Sequence, residues 1–412
     1  MLIENPFQDK RIILGVCGSI SVYKALDLCS KLTQAGASVD VIMTESAQKF
    51  ITPLAFQSVS GRPVYTEMWQ SDFGEGLPSH IAHVALGEGA DLFVIAPITA
   101  HSIAKLANGL ADDLLSLTAL SARCPVLIAP AMDGAMYENA AVQSNLQRLT
   151  ERGVILQEPA TGRFASGLSG QGRLPETPYL MSKIRQILGQ EGPLKGLRLL
   201  ITAGGTREAI DPVRFISNRS SGKQAYAIAQ AAIDYGADVS LISTVDLELP
   251  IGATLIPVES AASMYTAVMD QLAFCDVLIM AAAVADFSPN PADHKIKKET
   301  ENDGLNIQLR PTVDILLQVK QYREKQKQPR FVIGFAAESQ HLLDNAAKKL
   351  KRKALDLLVA NDISASDAGF GVDDNRVTFL EPSGDIEALT HRSKYAVGVA
   401  IMDWISQQLE MP

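Results

Sequence analysis

Residues 197–223 read LRLLITAGGTREAIDPVRFISNRSSGK, and this stretch decides the fold of the second half of the chain. Its first seven residues are mostly apolar and predict a buried strand, and Gly204 and Gly205 let the backbone turn directly afterwards. An apolar helical pattern begins at Lys223, so hydroxyls, free amide groups and a cation converge at a helix start. The stretch therefore predicts a strand, a turn and a helix, with a polyanion site where the helix begins.

This polyanion site differs from the common nucleotide-binding loop. A P-loop needs a glycine, four further residues, and then Gly-Lys followed by Ser or Thr. In this chain Lys223 is followed by Gln224. The sequence therefore predicts something other than a Walker-type NTPase.

Strand-like runs of Val, Ile and Leu alternate with helical patterns along both halves of the chain. They are residues 11–17, 38–45, 91–97 and 125–130 in the first half, and 197–203, 237–245, 276–282, 330–338 and 355–361 in the second. Continuous apolar strands of this kind are typical of a parallel sheet covered by helices on both faces. The Gly- and Pro-containing residues 189–196 interrupt the pattern. We therefore predict an α/β protein with two doubly wound domains, residues 1–190 and 191–412, each with a ligand site at the carboxyl ends of its strands.

Composition, charge and cysteine spacing argue against several classes of protein, including nucleic-acid binders, membrane proteins and disulfide-rich proteins. The 412 residues include 47% hydrophobic and 20% charged residues, which is ordinary for a folded soluble protein. A net charge of −9 argues against a general nucleic-acid binder, and the apolar runs are shorter than the roughly 20 residues that cross a bilayer. The N-terminus is unlike a signal peptide, and the four cysteines are too widely spaced for a zinc site or a disulfide framework. We therefore expect a cytoplasmic protein that binds neither nucleic acid nor membranes.

Small and polar residues follow three strands of the first half. They are Gly18, Ser19, Ile20, Thr44, Ser46, Pro97, Thr99 and Ala100. Glycines and a serine at a helix start can receive a phosphate, although glycines at such a turn often serve only its geometry. Together with PITAHSIAK at residues 97–105, they resemble the homo-oligomeric flavin-containing cysteine decarboxylase family over about residues 8–185. The resemblance implies a flavodoxin-like domain in which these eight residues bind FMN.

The resemblance also implies a catalytic histidine. His83 precedes the third strand at the family's spacing, with His80 as its close competitor. As an isolated residue, a histidine in this place is more often a surface or helix-capping side chain. The match of the surrounding residues therefore carries the assignment of His83 as catalytic.

Two further segments match the family's substrate site. Residues 129–137, APAMDGAMY, match the substrate-contacting motif, and the Gly-rich residues 161–173 match a mobile substrate clamp. The residues expected to contact substrate are Met132, Asp133 and Met136, and those expected to join His83 in catalysis are Asp133 and Ser166. Where this chain has His101, Asp133 and Ser166, the family usually has Asn, Asn and Cys.

These substitutions bear on the last step of the family's reaction. FMN oxidises the substrate thiol to a thioaldehyde, the neighbouring carboxylate leaves as carbon dioxide, and the enethiol that remains is then reduced. The clamp cysteine supplies a proton in that reduction, and a serine hydroxyl is far less acidic than a thiol. Asp133 can accept a hydrogen bond from a substrate amide, but it donates one only if its pKa is raised. We therefore expect FMN binding, with reduction of the enethiol as the step that Ser166 affects.

The second half, from about Leu194, resembles the phosphopantothenate-cysteine ligases of coenzyme A biosynthesis. The resemblance rests on TAGGTRE (202–208), DPVRFISNRSSGK (211–223), AAAVAD (281–286), KIKK (295–298), GFAAE (334–338), the lysines from Lys349 to Lys353, and VAND (359–362). It implies CTP as co-substrate with Mg²⁺, an acyl-cytidylate intermediate formed with release of pyrophosphate, and attack by the amine of cysteine. Activating a carboxylate in this way puts charge on phosphates, which cations must meet.

Particular residues match the ligase family's contacts. Lys295 matches a position near the reacting phosphoryl group, Asn218 matches the residue that engages the acyl-cytidylate, and Arg214 matches a neighbouring substrate contact. The expected CTP contacts are Ala282, Ala283, Asp286, Lys295, Thr312, Val313, Asp314, Ile315, Phe335, Lys349 and Lys353. On composition alone the basic run is a solvated helix face and Phe335 a core residue, so the motif context carries these assignments. The sequence assigns no metal ligands.

Together the two halves resemble bifunctional enzymes that join 4'-phosphopantothenate to cysteine and decarboxylate the product to 4'-phosphopantetheine. Two alternatives stay open. One is a ligase whose first domain binds FMN but decarboxylates poorly, which Asp133 and Ser166 motivate. The other is a flavin-binding regulatory protein without enzymatic activity, which would not need Lys295 or Asn218. The resemblance also implies a homo-oligomer, with trimers of the flavin domain and dimers of the ligase domain.

Overall fold

The structure, a computed structural model, describes residues 5–68, 82–163, 167–297, 305–338, 342–362 and 374–410. The chain forms two compact units, Asn5–Leu188 and Gly189–Pro412. Each unit has its own sheet and its own buried core. The predicted α/β fold class is confirmed.

The first unit is built on a six-stranded parallel sheet with strand order β3-β2-β1-β4-β5-β6. Its strands are β1 (Arg11–Val16), β2 (Ser38–Met43), β3 (Val64–Tyr65), β4 (Leu92–Ile98), β5 (Val126–Pro130) and β6 (Ile155–Leu156), and β7 (Ala160–Arg163) and β8 (Ser169–Arg173) form a separate antiparallel pair. Its helices are α1 (Val22–Gln34), α2 (Glu45–Gln48), α3 (Pro53–Ser60), α4 (Ala82–Glu88), α5 (Ala100–Asn108), α6 (Leu114–Ser121), α7 (Gly134–Tyr137), α8 (Ala140–Glu151) and α9 (Thr177–Gly189). Strands β1, β2 and β4 are buried almost throughout, because they carry apolar side chains to both covered faces.

The second unit is built on an eight-stranded sheet with strand order β13-β12-β9-β14-β17-β18-β19-β20. The strands of the unit are β9 (Arg198–Ala203), β10 (Arg207–Ala209), β11 (Phe215–Ser217), β12 (Asp238–Ser243), β13 (Ala253–Pro257), β14 (Val277–Met280), β15 (Phe287–Pro289), β16 (Leu309–Pro311), β17 (Phe331–Glu338), β18 (Leu357–Asp362), β19 (Asp374–Leu380) and β20 (Ile386–Ser393). Its helices are α10 (Lys223–Asp234), α11 (Ala261–Gln271), α12 (Ile315–Gln326), α13 (Leu342–Lys353) and α14 (Lys394–Glu410), and a 3-10 turn at Leu272–Phe274 follows α11.

Two strands at one edge of this sheet run antiparallel, which the sequence did not predict. Strand β19 pairs antiparallel with β18 and β20 pairs antiparallel with β19. Buried and more exposed residues alternate along the first half of β19, as expected for a strand with one covered face. The consequence is that Asn375, near the start of β19, lies next to the carboxyl end of β18.

Helices α10 and α14 pack closely against each other in the core of the second unit. Gly398 of α14 permits this approach, since a Cβ added there would lie 3.0 Å from Cβ of Ala231 and 3.1 Å from the carbonyl oxygen of Ala227. At the other end of the contact, Nε2 of Gln224 donates a hydrogen bond of 2.9 Å to the carbonyl oxygen of Lys394. The first turns of both helices are thus held together beside the strand ends.

Within the described ranges, every helix falls short of the length and apolarity that a bilayer crossing requires.

Candidate active sites

A cavity of about 370 Å³ opens at the carboxyl ends of the strands in the first unit. It is lined by Ser19, Ile20, Ser21, Tyr23, Lys24, Ala131, Met132, Asp133, Arg163, Gly172 and Arg173. The backbone N–H of Met132 donates a 2.9 Å hydrogen bond to the carbonyl oxygen of Gly172, which ties the loop after β5 to β8. The structure therefore brings two of the predicted flavin residues, Ser19 and Ile20, together with the predicted substrate residues Met132 and Asp133.

Four of the other predicted flavin residues, Gly18, Ser46, Thr44 and Thr99, make contacts that hold the loops at this edge of the sheet. A Cβ added at Gly18 would lie 2.5 Å from Cβ of Ser46, so the loops after β1 and β2 touch there. Thr44 caps α2 by accepting a 3.2 Å hydrogen bond from the N–H of Ala47, and the Thr99 side chain caps α5. The strand ends are thus adjacent as predicted, with both threonine hydroxyls engaged in helix caps.

Gly18 provides a test of this arrangement. We expect Gly18→Ala to weaken flavin binding tenfold or more, because overpacking costs about 1–3 kcal/mol and each 1.4 kcal/mol is about a factor of ten. Flavin fluorescence quenching on titration of the apoprotein measures the change. Gly153→Ala is a control for general destabilisation: at a φ of +88° an alanine strains the backbone, but an added Cβ has no atom within 4 Å, so flavin affinity should be unchanged. Wild-type affinity in Gly18→Ala would contradict the assignment of this loop.

Of the two predicted catalytic residues of the first unit that the structure describes, Asp133 lines the cavity and His83 does not. Asp133 caps the short helix α7 by accepting a 3.1 Å hydrogen bond from the N–H of Ala135, and Met136 is exposed. His83 lies on α4 with its side chain partly buried, outside the lining of the cavity. Ser166 and His80 lie outside the described residues. The structure therefore places Asp133 in the cavity and leaves the roles of His83 and Ser166 as predictions.

Three cations in the cavity were missed by the sequence analysis: Lys24, Arg163 and Arg173. Lys24 is buried, and its Nζ lies 2.8 Å from both the carbonyl oxygen of Leu174 and Oε1 of Glu176. That hydrogen bond lowers the pKa of the Glu176 carboxyl. Glu176 thus compensates Lys24 and also lies 3.8 Å from Arg173, which leaves Arg163 as the cation of the lining without a described acidic partner. The sequence did contain a signal for two of these cations, because Arg163 and Arg173 both lie in the Gly-rich segment 161–173.

Two cavities lie at the strand ends of the second unit and share part of their lining. The α10 cavity, of about 320 Å³, is lined by Asn218, Ser220, Ser221, Gly222, Gln224, Ala225, Ala281, Ala282, Ala283, Val284, Asp286, Phe335, Ala336, Lys349, Asn361, Asn375 and Lys394. The α12 cavity, of about 290 Å³, is lined by Met280, Ala282, Val284, Ala285, Asp286, Thr312, Val313, Asp314, Ile315, Leu316, Phe335, Lys349 and Lys353. The residues common to both, here called the shared wall, are Ala282, Val284, Asp286, Phe335 and Lys349.

The α12 cavity collects most of the residues predicted to contact CTP. Lys349 Nζ donates a 2.8 Å hydrogen bond to the carbonyl oxygen of Phe335, and Lys353 Nζ lies 3.0 Å from Oδ1 of Asp314. Asp314 in turn caps α12. These contacts fix two lysines at the cavity lining. Of the remaining predicted contacts, Ala283 lines the α10 cavity, whereas Lys295 is exposed and lies outside both linings.

The loop before α10 forms one side of the α10 cavity. Nδ2 of Asn218 donates a 3.3 Å hydrogen bond to the carbonyl oxygen of Val284 on the shared wall. Gly222 caps α10 with a φ of +75°, and no described side chain caps the helix. Amide groups at such a helix start attract anions. The segment predicted to form the polyanion site therefore lies at a helix start that borders the cavity, and anion binding there stays a prediction.

Arg214 and Asp211 anchor the segment that carries Lys295. Nε of Arg214 donates a 3.0 Å hydrogen bond to Oδ2 of Asp211, which also accepts a 3.2 Å bond from the N–H of Ile296. A guanidinium nitrogen of Arg214 donates a 3.0 Å bond to the carbonyl oxygen of Ile296. The hydrogen bond from Arg214 holds the pKa of Asp211 well below its usual range. Arg214 is thus a structural anchor next to Lys295 in this structure.

We expect Asp211→Asn to slow pyrophosphate release about tenfold, because an amide offers donors where Arg214 and Ile296 need an acceptor, and because the charge that strengthens these hydrogen bonds is lost. The depressed pKa of Asp211 means that the anchor is complete above the unfolded carboxyl pKa of about 3.9 and weakens only as the pH falls through the lower folded value. The loss should therefore be constant between about pH 5.5 and 8.5. Asp293→Asn, an exposed change in the same segment, is the control; a loss that varies across this range contradicts the account.

Four polar residues of the α10 cavity were given no role by the sequence analysis, although Asn361 lies in the VAND motif: Gln224, Asn361, Asn375 and Lys394. They come from α10, β18, β19 and α14, which the fold brings together. No local motif joins them in the sequence. Among the described residues, no three His, Cys, Asp or Glu side chains cluster as a metal site.

Comparison with known proteins assigns the chain to a family. A profile described as Flavoprotein matches residues 4–189, and one described as DNA/pantothenate metabolism flavoprotein C-terminal domain matches residues 194–409. The coenzyme A biosynthesis bifunctional protein CoaBC of Bacillus subtilis (strain 168) is 47% identical over 403 residues, 97% of this chain and 97% of the relative. The chain belongs to the CoaBC family of bifunctional coenzyme A biosynthesis proteins.

Solved structures that are similar to this CoaBC family member each cover about half of it. The crystal structure of the C-terminal domain of a CoaBC protein is 39% identical and covers 53% of this chain and 99% of that chain, with a TM-score of 0.45. A PPC decarboxylase mutant complexed with pantothenoylaminoethenethiol is 31% identical and covers 43% of this chain and 97% of that chain, with a TM-score of 0.39. Membership of the CoaBC family rests on the profiles and the full-length relative.

Proposed function

We propose that this chain makes 4'-phosphopantetheine in two steps, a CTP-dependent ligation of 4'-phosphopantothenate to cysteine and an FMN-dependent decarboxylation. As a CoaBC family member, it is a bifunctional enzyme of coenzyme A biosynthesis, a ligase and a decarboxylase. The alternative of a regulatory protein without enzymatic activity is thereby set aside. The observation that carries the finer assignment is the pair of cavities with a shared wall in the second unit.

In the ligase reaction, phosphopantothenate must first reach the α-phosphate of the nucleotide, and cysteine must then reach the activated acyl group. We place the cytidine nucleotide in the α12 cavity, where Lys349 and Lys353 are fixed at the lining. A carboxylate oxygen of phosphopantothenate attacks the α-phosphorus, and pyrophosphate leaves with the electron pair of the broken P–O bond. The cysteine amine then attacks the acyl carbon, and CMP leaves. Asp286 on the shared wall is the carboxylate placed to take the proton that the amine loses.

The first unit fits a flavin at its strand ends. The fit rests on Gly18, whose position beside Ser46 leaves no room for a Cβ, and on the adjacent cavity with Ser19 and Ile20 in its lining. When bound there, FMN supplies oxidation of the substrate thiol and the later reduction. Lys24, Arg163 and Arg173 supply positive charge for an anionic substrate, and Asp133 accepts a hydrogen bond from its amide. His83 and Ser166 are assigned to catalysis through the resemblance alone.

Magnesium and assembly complete the proposal. We expect Mg²⁺ to arrive with the nucleotide, because phosphate oxygens and waters are its preferred ligands in such reactions. We also propose that the protein is cytoplasmic and forms trimers through the flavin domain and dimers through the ligase domain.

The purified full-length protein tests the function directly. We expect a yellow preparation that converts CTP, 4'-phosphopantothenate and cysteine, with Mg²⁺, into CMP and pyrophosphate, and then releases carbon dioxide from the ligated product. ATP in place of CTP tests nucleotide preference. Absence of CMP would remove the ligase assignment, and absence of carbon dioxide with flavin bound would leave a ligase with an impaired first domain.

A further inference from the structure

Four polar residues line one part of the α10 cavity and are not used by the mechanism above. This polar wall consists of Gln224, Asn361, Asn375 and Lys394. Asn375 has only 2% of its surface exposed and Lys394 only 7%. Polar groups buried to this degree are normally hydrogen-bonded, so an unpaired atom among them needs an explanation.

Two oxygen atoms of the polar wall have no such partner. Oδ1 of Asn361 and Oδ1 of Asn375 are buried and accept no hydrogen bond from the described residues. The orientation of the Asn375 amide is fixed by a relay, because Nδ2 of Asn375 donates to Oε1 of Gln224 at 3.1 Å and Nε2 of Gln224 donates to the carbonyl oxygen of Lys394. Reversing the Asn375 amide would set two oxygens against each other. Oδ1 of Asn375 is therefore a hydrogen-bond acceptor that could receive a hydrogen bond from a ligand in the cavity.

Positive groups border the same cavity. Lys394 is a largely buried cation that lines the cavity, and the start of α10 at Gly222, which no described side chain caps, borders it with backbone amide groups. A ligand that matches both kinds of group has a cationic end that donates hydrogen bonds and an anionic end that accepts them. The neighbouring lining residues Ala225 and Ala281 are small and apolar, which leaves room for a short side chain.

We propose that the polar wall is the binding site for the amino-acid group of cysteine, with its α-amino group at Asn375 and Asn361 and its α-carboxylate at Lys394 and the start of α10. Cysteine enters with this group as an ammonium, which gives one proton to solvent before the amine attacks; the second proton leaves to Asp286 as the amide forms. This inference rests on the proposed ligase function. A nucleotide triphosphate fits the wall less well, because anionic oxygens would meet the fixed oxygen of Asn375. The shared wall lies in the lining of the same cavity, so a cysteine held here is next to the acyl group that it attacks.

Comparison of cysteine with 2-aminoethanethiol, which lacks the α-carboxylate, tests the proposal in the full-length enzyme. We expect Lys394→Gln to lower kcat/KM for cysteine about tenfold or more, the usual effect of losing one charge-assisted hydrogen bond, and to leave 2-aminoethanethiol unaffected. Asn375→Ala should raise KM for both amines alike, because both carry the amino group. Pyrophosphate release from CTP and phosphopantothenate without any amine should stay at the wild-type rate in both variants, which also shows that they are folded.

The outcomes separate this proposal from the one on which it rests. Lys348→Gln, an exposed change on α13, is the matched control and should leave every rate unchanged. If Lys394→Gln keeps the wild-type preference for cysteine, or if either variant loses amine-independent pyrophosphate release, the polar wall serves the nucleotide or the fold and the cysteine site is overturned. If the wild-type protein itself releases no pyrophosphate, the ligase assignment fails and the cysteine site fails with it.

Discussion

Replacing Ser166 by cysteine is expected to speed the formation of 4'-phosphopantetheine about a hundredfold, the lower range of what a well-placed general acid contributes. Carbon dioxide leaves before the enethiol is reduced, so carbon dioxide release within a single turnover should change little. Repeated turnover needs the reduction, because it would return the flavin to its oxidised form, so steady-state release should rise together with product formation. The reduction needs a proton at carbon, and a thiol with an ordinary pKa of about 8.5 donates it far more readily than a serine hydroxyl. The wild-type enzyme should therefore accumulate the enethiol.

Rapid quenching followed by mass spectrometry of the products measures this effect, with carbon dioxide trapped in parallel. Ser169→Cys is the matched control, since it adds an exposed thiol to the same Gly-rich segment and should not accelerate reduction. A wild-type enzyme that makes phosphopantetheine without detectable enethiol, and is not accelerated by Ser166→Cys, would show that another residue supplies the proton.

Replacing Lys295 by glutamine is expected to slow acyl-cytidylate formation by a factor of about 10²–10³, the usual effect of removing one group that stabilises charge in the transition state. Lys295 is exposed in the structure, yet the neighbouring Ile296 is held by hydrogen bonds to Arg214 and Asp211. This anchor limits where Lys295 can reach. Because the lysine acts on charge that develops during the reaction, the KM for CTP should change much less than kcat.

Pyrophosphate release in the absence of cysteine is the appropriate measurement, since it reports the first half reaction alone. Lys297→Gln is the matched control, because Lys297 is exposed in the same segment. Lys295→Arg should recover part of the rate by keeping the charge. Equal losses in Lys295→Gln and Lys297→Gln would mean that the segment acts only through its net charge.

The sequence predicted the sheet strands well wherever a strand is a continuous apolar run. Strand β9 begins one residue later than predicted, whereas β14 ends at Met280 rather than residue 282. The difference at β14 has a physical cause. The N–H of Ala282 donates a 3.1 Å hydrogen bond to Oγ1 of Thr202, and the N–H of Ala283 donates one to the carbonyl oxygen of Gly204. The two alanines therefore depart from the regular hydrogen-bond pattern of the sheet and line the cavities.

The candidate sites were predictable only where the residues lie in one segment. The loop from Asn218 to Lys223 could be recognised because its polar groups precede a helix directly. Asn375 and Lys394 could not, because their contact with Gln224 depends on an antiparallel strand and on the packing of two helices far apart in the chain. Likewise, the capping roles of Thr44 and Thr99 depend on backbone geometry that the sequence pattern does not contain.

The shared wall between the α10 and α12 cavities has a consequence for the proposed intermediate. If the mixed anhydride forms against Asp286 and Lys349 as we propose, it borders the α10 cavity, from which the amine would attack, and does not need to move between the two half reactions. Its partition between amide formation and loss to water is then governed by how often an amine occupies the α10 cavity. At low cysteine concentration the enzyme would hydrolyse CTP without forming the amide. The ratio of CMP to amide product would then rise as the cysteine concentration falls.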